Sequence, residues 1–240
     1  MAITKKQALS IVFTAADEYK ANLLGHSLLF ICSDRNKAIY ALEVTFDSSN
    51  FKHLTGFKTS IAPNHFLQLC LDRRLKETDF DFAEDGTTPW KIDVLSRMVK
   101  KNLSANMIGI YNRSQPLLFT EKIAGNISAC MGFCKTVEKN RYVPNTVLKG
   151  DIRSLVHHAD RILITYRKKR HEPNYQEIVY AAKKFNWELL TLPDEYADLP
   201  LPNLKDPFFS QENQAYLQKS IEALRNGKGT PHDLIETDEG

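Results

Sequence analysis

Side chains able to transfer protons and bind anions are concentrated in residues 51–60, FKHLTGFKTS. The stretch holds His53, Thr55 and Lys58 around a central Gly56. Histidine is the only side chain whose ordinary pKa lets it give and take a proton near neutral pH. An ammonium can hold an anion, and a hydroxyl can orient one. The stretch therefore indicates either an acid–base site for an anionic substrate or an ordinary loop between a strand and a helix.

A second polar stretch, residues 141–153 (RYVPNTVLKGDIR), places Asn145, Thr146, Lys149 and Arg153 close together. A phosphate site needs this mixture, because amides and hydroxyls bond to the oxygens while cations balance the charge. The alternative is a turn or helix cap followed by a structural Asp–Arg pair.

The basic run at residues 166–171 (YRKKRH) lies at an expected hairpin tip and includes Arg167 and Lys168. It is either a track for a nucleic-acid backbone or a solvated loop. Tyr111, at the end of an expected strand, adds a phenol to a site or packs at the edge of the sheet.

Metal and cofactor sites are poorly supported by the sequence. Cys130 and Cys134 lack the second pair that would complete four ligands, so we expect them in the core. His157 and His158 with Asp160 form only a weak metal pattern. There is no phosphate-binding Walker loop, dinucleotide fingerprint or Gly-x-Ser-x-Gly elbow. We therefore expect neither a metal nor a cofactor.

Charge divides the chain into a basic body and an acidic tail. Residues 1–185 hold 28 Lys/Arg against 18 Asp/Glu, a balance of +10, and residues 186–240 hold 4 against 11, a balance of −7. A basic body suits a polyanion such as RNA or DNA. The tail is a solubilising extension or competes for the basic surface. The N-terminus lacks the pattern of a signal peptide, and no apolar run spans a bilayer, so we expect a cytoplasmic protein with reduced cysteines.

Periodicity predicts an α+β domain over residues 1–185, with helices on one side of an antiparallel sheet. The expected helices are 5–24, 63–76 with Ser60 as a cap, 88–101 and a short one after Gly150. The expected strands are 27–33, 38–46, 106–112, 116–120, 128–136, 142–148, 160–168 and 175–183. The last could be a helix, although a strand is favoured. Residues 186–240 are expected to form an irregular extension with an extended arm, one helix near 211–225 and a disordered end.

The order of four features resembles one nuclease group. They are HLTGF before a helix, MGF at 131–133, PNTVLKGDIR and the final hairpin. The group is associated with phages and mobile elements and is related to barnase, EndoU, colicin-type and RelE-like ribonucleases, as the fourth phage type. The resemblance covers about residues 5–185. It implies a metal-independent ribonuclease fold, in which helices pack on a curved antiparallel sheet whose concave face holds the site.

The resemblance implies an endoribonuclease in which the RNA 2′-hydroxyl attacks the adjacent phosphate. His53 would be the general base or acid, and cations would stabilise the charged phosphorane. The expected catalytic residues are His53, Lys58, Thr146 and Arg153. The expected substrate-binding residues are Thr55, Tyr111, Asn145, Lys149, Arg167 and Lys168.

The expected partners are RNA, such as tRNA, and an antitoxin or immunity protein; the sequence leaves the oligomeric state open. No second histidine matches the group, which favours an alternative: a catalytically inactive module that binds nucleic acid or a protein. A third interpretation is a toxin whose acidic tail covers the basic body.

Overall fold

The computed structural model describes residues 3–112, 119–136, 141–202, 219 and 221–222. Met1–Pro200 and Leu201–Gly240 form two separate compact units. In the second unit, residues 219, 221 and 222 are helical. Within the described residues, no helix has the length and apolar character needed to cross a membrane.

The described residues of the first unit form five helices and ten strands. The helices are α1 (Lys5–Asn22), α2 (Ser48–Thr55), α3 (Pro63–Leu71), α4 (Thr87–Met98) and α5 (Ile152–Leu155). The strands are β1 (His26–Ser33), β2 (Ile39–Thr45), β3 (Phe57–Lys58), β4 (Asp81–Phe82), β5 (Met107–Ile110), β6 (Lys122–Gly125), β7 (Ala129–Lys135), β8 (Tyr142–Lys149), β9 (Asp160–Lys169) and β10 (Glu177–Ala181). Short 3₁₀ turns occupy Glu77–Asp79, Trp187–Leu189 and Asp194–Tyr196. This composition confirms the α+β class.

Eight strands form one sheet in the order β1-β2-β8-β7-β6-β5-β9-β10. Because β1 also pairs with β9 along its whole length, the sheet curves into a closed ring with β10 attached at the side. The pairs are antiparallel except for β2 and β8, which are parallel through Val44 and Tyr142. The sheet is therefore mixed, whereas the sequence predicted a purely antiparallel one.

The main core lies between α1–α4 and the inner face of the sheet. Tyr19 of α1 packs against Phe51 of α2, with ring centroids 5.1 Å apart. Both α2 and α4 pack against β8, whose Val147 points into this core. These contacts fix the two helices side by side on one strand.

The outer face of the sheet has two smaller apolar clusters. Beside β1 and β9, the segment after β10 buries Trp187, Leu190 and Leu192. Beside β5–β7, α5 packs Ile152 against Ile123 of β6 and Cys130 of β7. The chain after residue 185 is therefore packed on the sheet at least as far as Leu192.

The largest difference from the sequence prediction is α2, which replaces the loop expected around His53. The Asn50 side chain accepts a hydrogen bond from the Asp47 backbone N–H at 2.8 Å and so closes the first turn. Phe51 and Leu54 are buried in the core and hold the helix against it. Gly56 ends the helix in a left-handed conformation with a φ of 70°. The polar residues 47–50 favour a loop in the sequence, but the buried Phe51 and Leu54 hold this segment as a helix.

Two other boundaries were also wrong. The helix expected at 63–76 ends at Leu71, because Arg73 takes a left-handed conformation with a φ of 58°. Ala62, rather than Ser60, precedes its first turn. Of the strand expected at 116–120, residues 116–118 lie outside the described residues, and β6 begins later, at Lys122.

Candidate functional site

His53 lies in the last turn of α2, on the side that faces away from the sheet. Its neighbours Phe51 and Leu54 are fully buried, whereas the His53 side chain is exposed. No hydrogen bond to its ring is found among the described residues. The imidazole is therefore available to a ligand at the surface.

Thr88 connects the start of α4 to the end of α2. Its hydroxyl donates to the carbonyl oxygen of Gly56 and accepts from the Ala83 N–H, both at 2.8 Å. One helical turn later, the Lys91 stem crosses Gly56, where an added Cβ would lie 2.8 Å from Lys91 Cδ. Gly56 is thus required by its left-handed φ and by the close approach of Lys91.

Two ammonium groups act on His53. Partial burial is the largest cause that lowers the pKa of His53 below 6.5, and the charges of Lys52 and Lys91 lower it further. Lys52 Nζ is held by the carbonyl oxygens of Thr59 and Ile61 at 2.9 and 2.7 Å. Among the described residues neither lysine forms an ion pair. His53 is therefore neutral at pH 7 and flanked by positive charge.

Lys58 of β3 lies in the same electrostatic neighbourhood. Hydrogen bonds from Thr87 chiefly lower the pKa of Asp85, and the charges of Lys91 and Lys58 add to this effect. Lys58 Nζ pairs with Glu84 at 3.2 Å, but both groups are exposed. Such surface pairs contribute little, so Lys58 can exchange this partner for a phosphate. We call His53, Lys52, Lys58 and Lys91 the His53 patch.

The second predicted group lies around the C-terminal half of β8. The Asn145 side-chain oxygen accepts a hydrogen bond from Thr120 at 3.2 Å. Lys149 Nζ forms an ion pair with Asp93 of α4 at 2.8 Å. Arg153 is exposed and pairs with the carboxylate of Asp151, its own helix cap, at 2.6 Å.

Thr146 is buried above Gly132, the central glycine of the MGF stretch. The two residues face each other on β8 and β7. An added Cβ on Gly132 would lie 2.8 Å from the methyl groups of both Thr120 and Thr146. Gly132 thus provides the space in which the two threonine side chains meet.

Thr146 and Arg153 of the second group lie on the outer face of the sheet, whereas Lys149 pairs with Asp93 of α4 and lies on the helical side. Val147 points toward α2, so Thr146, its neighbour along the strand, points to the outer face. Arg153 belongs to α5, which also packs on the outer face. Within the described chain no hydrogen bond or ion pair joins His53 or Lys58 to the 145–153 group. Lys91 acts on His53 and, with Lys58, on Asp85, so these groups share one neighbourhood on the helical side, apart from Thr146 and Arg153.

Thr55 and Tyr111 are both buried in the free protein. The Thr55 hydroxyl donates to the Lys52 carbonyl oxygen at 2.8 Å and accepts from the Phe57 N–H at 3.2 Å. Tyr111 forms a β-bridge with Val156 and belongs to the outer apolar cluster. Both side chains support the local fold.

Arg167 and Lys168 make contacts within the protein. Arg167 Nε pairs with Glu177 at 2.6 Å, and its guanidinium also donates to the Asn22 carbonyl oxygen at 2.8 Å. Lys168 Nζ donates to the Pro173 carbonyl oxygen at 3.1 Å. These contacts hold β9 to its neighbours, and the predicted role of the two residues in substrate binding stays a prediction.

The comparison with known proteins matches residues 11–184 to the family described as phage-Barnase-EndoU-ColicinE5/D-RelE like nuclease4. The chain belongs to this nuclease family. The matched region contains the His53 patch and the 145–153 group, and it ends before the segment that buries Trp187. No curated protein and no solved structure matches the chain.

The sequence did not identify Lys52 and Lys91 as part of this nuclease's candidate site. Lys52 could have been found, because it directly precedes His53. Lys91 had no sequence signal, since its position depends on the bond between Thr88 and Gly56. In the described part of the chain, no group of three or more His, Cys, Asp or Glu side chains is arranged to hold a metal ion.

Proposed function

We propose that this member of the nuclease family is an endoribonuclease that uses no metal ion. The RNA 2′-hydroxyl attacks the adjacent phosphate, and His53 accepts its proton. The observation that carries this function is an exposed imidazole kept neutral between two ammonium groups. A neutral histidine is the form that a general base requires, and such a base contributes about 10²–10⁴-fold in rate.

The lysines of the His53 patch supply the complementary charge. Negative charge grows on the phosphorane oxygens during the attack, and cations fixed nearby stabilise it. Lys52 is held by two backbone carbonyls, so it needs little reorganisation. Lys91 and Lys58 complete the positive surface. As the new P–O2′ bond forms, the P–O5′ bond breaks and the leaving 5′-oxygen takes a proton from water, so the products are a 2′,3′-cyclic phosphate and a 5′-hydroxyl end.

We assign Lys149 and Arg153 to RNA contacts beyond the scissile phosphate. Each ends in an exposed ion pair, which phosphate oxygens can displace at small cost. Asn145 is half-buried on the same strand as Lys149 and adds an amide. Thr146 is buried and supports this part of the strand rather than touching the scissile bond.

The test is cleavage of total cellular RNA by the full-length protein in EDTA, with three proteins compared. His53→Ala should lose about 10²–10⁴-fold in rate, and the products should end in cyclic phosphate. His65→Ala is the matched control, because His65 is an exposed histidine on the adjacent helix α3. Equal cleavage by wild type and His53→Ala would disprove the assignment, as would activity abolished by EDTA.

One observation favours the alternative of a nuclease-like module without activity. The charged groups that act on His53 are lysines, and no second histidine is among them. A module of this kind would bind nucleic acid with strong dependence on salt and would cleave RNA at no pH. The same three proteins, assayed for binding and for cleavage, distinguish the two functions.

A further inference from the structure

A cleft of about 530 Å³ opens at the end of the sheet away from α2. It lies between the turn that joins β1 to β2, the start of β9 and the segment that follows β10. Its volume is in the range of small-molecule sites. Phe185 and Leu189 form one wall, beyond the end of the family match at residue 184. One wall of the cleft is thus formed by residues outside the family match, and the rest by residues within it.

Three cations line this cleft: Arg35, Lys37 and Arg161. All three are exposed, and within the described chain none forms an ion pair. Arg161 donates to the Lys183 carbonyl oxygen at 2.6 Å. The Arg35 guanidinium lies 3.3 Å from His158 Nε2. None of these contacts is therefore a direct pair between one of the three cations and a carboxylate.

The two carboxylates in the cleft already accept hydrogen bonds. Asp34 Oδ1 accepts from the backbone N–H groups of Asn36 and Ala38, both at 2.8 Å. Asp160 Oδ2 accepts from the Tyr40 hydroxyl at 2.7 Å. The bonds to Asp34 also fix the turn that carries Arg35 and Lys37. The cleft therefore keeps a net positive charge on a rigid turn.

The opposite wall is apolar. The half-buried Phe185 ring packs edge-on against Trp187, with centroids 4.9 Å apart, and the Arg161 guanidinium lies 6.0 Å from its centre. Leu189 is 78% exposed. Cations beside an aromatic ring are the combination that binds single-stranded nucleic acid, because the phosphate meets charge while the base stacks.

We propose that this cleft holds one nucleotide of single-stranded RNA outside the His53 patch. Its phosphate lies on Arg35 and Lys37, and its base lies against Phe185. The choice of RNA rests on the proposed function. The cleft would make the protein bind a longer strand than the His53 patch alone can reach.

The test measures binding separately from cleavage. A fluorescein-labelled 2′-O-methyl RNA oligonucleotide cannot undergo attack by its own 2′-oxygen, so fluorescence anisotropy with the full-length protein reports affinity alone. The variants are Arg35→Ala/Lys37→Ala and Phe185→Leu. The control is Lys6→Ala/Lys20→Ala, which removes the same charge from exposed positions on α1. Thermal unfolding of each variant checks that it is folded.

The cleft double variant should weaken binding at least tenfold more than the control. Its affinity should also depend less on salt, with a slope smaller by about 1.4 for two lost phosphate contacts. Phe185→Leu should weaken binding about fivefold or more. Equal affinities for the cleft and control variants would overturn the inference, as would a wild type that fails to bind.

Cleavage of unmodified RNA then separates the two hypotheses. If His53→Ala abolishes cleavage while the cleft variants bind and cleave like wild type, the cleft is not a substrate site and the proposed function stands. If the cleft variants lose binding while His53→Ala cleaves normally, the cleft stands and the role of His53 is wrong.

Discussion

Gly132→Ala tests whether Gly132 of the MGF stretch is needed for the close packing of Thr120 and Thr146. The new Cβ would lie 2.8 Å from a methyl group of Thr120 and from a methyl group of Thr146. Both threonines are buried, so neither can rotate freely into solvent. The expected result is a loss of stability, because the neighbouring strands must move apart.

The sign of the change in stability distinguishes a tightly packed site at Gly132 from a site with room for a side chain. In a strand with room for a Cβ, replacing glycine by alanine gains roughly 0.5–1 kcal/mol. Forcing an extra carbon into a packed site instead costs about 1–3 kcal/mol. For a domain of this size, about 1 kcal/mol lowers Tm by about 2–4 °C. Gly132→Ala should therefore lower Tm by about 2–12 °C.

Urea and thermal unfolding provide the assay, and a second substitution identifies the clash. Thr146→Ser removes the methyl group that the new Cβ meets but keeps the hydroxyl. The double variant Gly132→Ala/Thr146→Ser should be more stable than the two separate losses predict, with a coupling of about 0.5–3 kcal/mol. A Gly132→Ala protein as stable as wild type, or a double variant with purely additive losses, would refute the reasoning.

Three further results are expected. Gly56→Ala should lower the free energy of unfolding in urea by about 1–2 kcal/mol, because the position has a φ of 70° and no room beside Lys91. If His53 is the general base, the acidic limb of kcat/KM should lie below pH 6.5, since the pKa of His53 is lowered; Lys91→Met should move that limb upward toward 6.5, and an unmoved limb would contradict the assignment. Deletion after residue 185 should lower the Tm of the domain because it removes the buried Trp187, and an unchanged Tm would contradict this.

Elements with strong local signals were predicted correctly. Thr4 caps α1 reciprocally with Gln7, and the apolar period of the following residues places Val12 and Tyr19 in the core. The hairpin of β1 and β2 follows from two apolar runs around one polar turn. The strand at residues 175–183, which the period left ambiguous, is β10. In each case the interactions that decide the structure lie within a short segment.

Features that depend on distant contacts could not be predicted. The pairing of β1 with β9 closes the sheet, yet the two strands lie more than a hundred residues apart. The start of β6 depends on Gly132 and Phe133 of β7 as partners. Lys91 acts on His53 from α4, whose first turn is bonded to the end of α2 through Thr88 and Gly56. The sequence therefore predicted His53 and Lys58, which are five residues apart, but missed Lys91, whose charge acts on His53 from another helix.

The separation of His53 from Thr146 and Arg153 restricts how this nuclease can work. One phosphodiester cannot contact both faces of a sheet, so His53 and Thr146 cannot act on the same scissile bond in this conformation. Val147 decides the matter, because its burial against α2 turns Thr146 outward. The order of motifs along the chain could not reveal this. A one-residue shift in the register of β8 would point Thr146 inward and Val147 outward. Loss of cleavage in His53→Ala would therefore place the chemistry on the helical side of the sheet, away from Thr146 and Arg153.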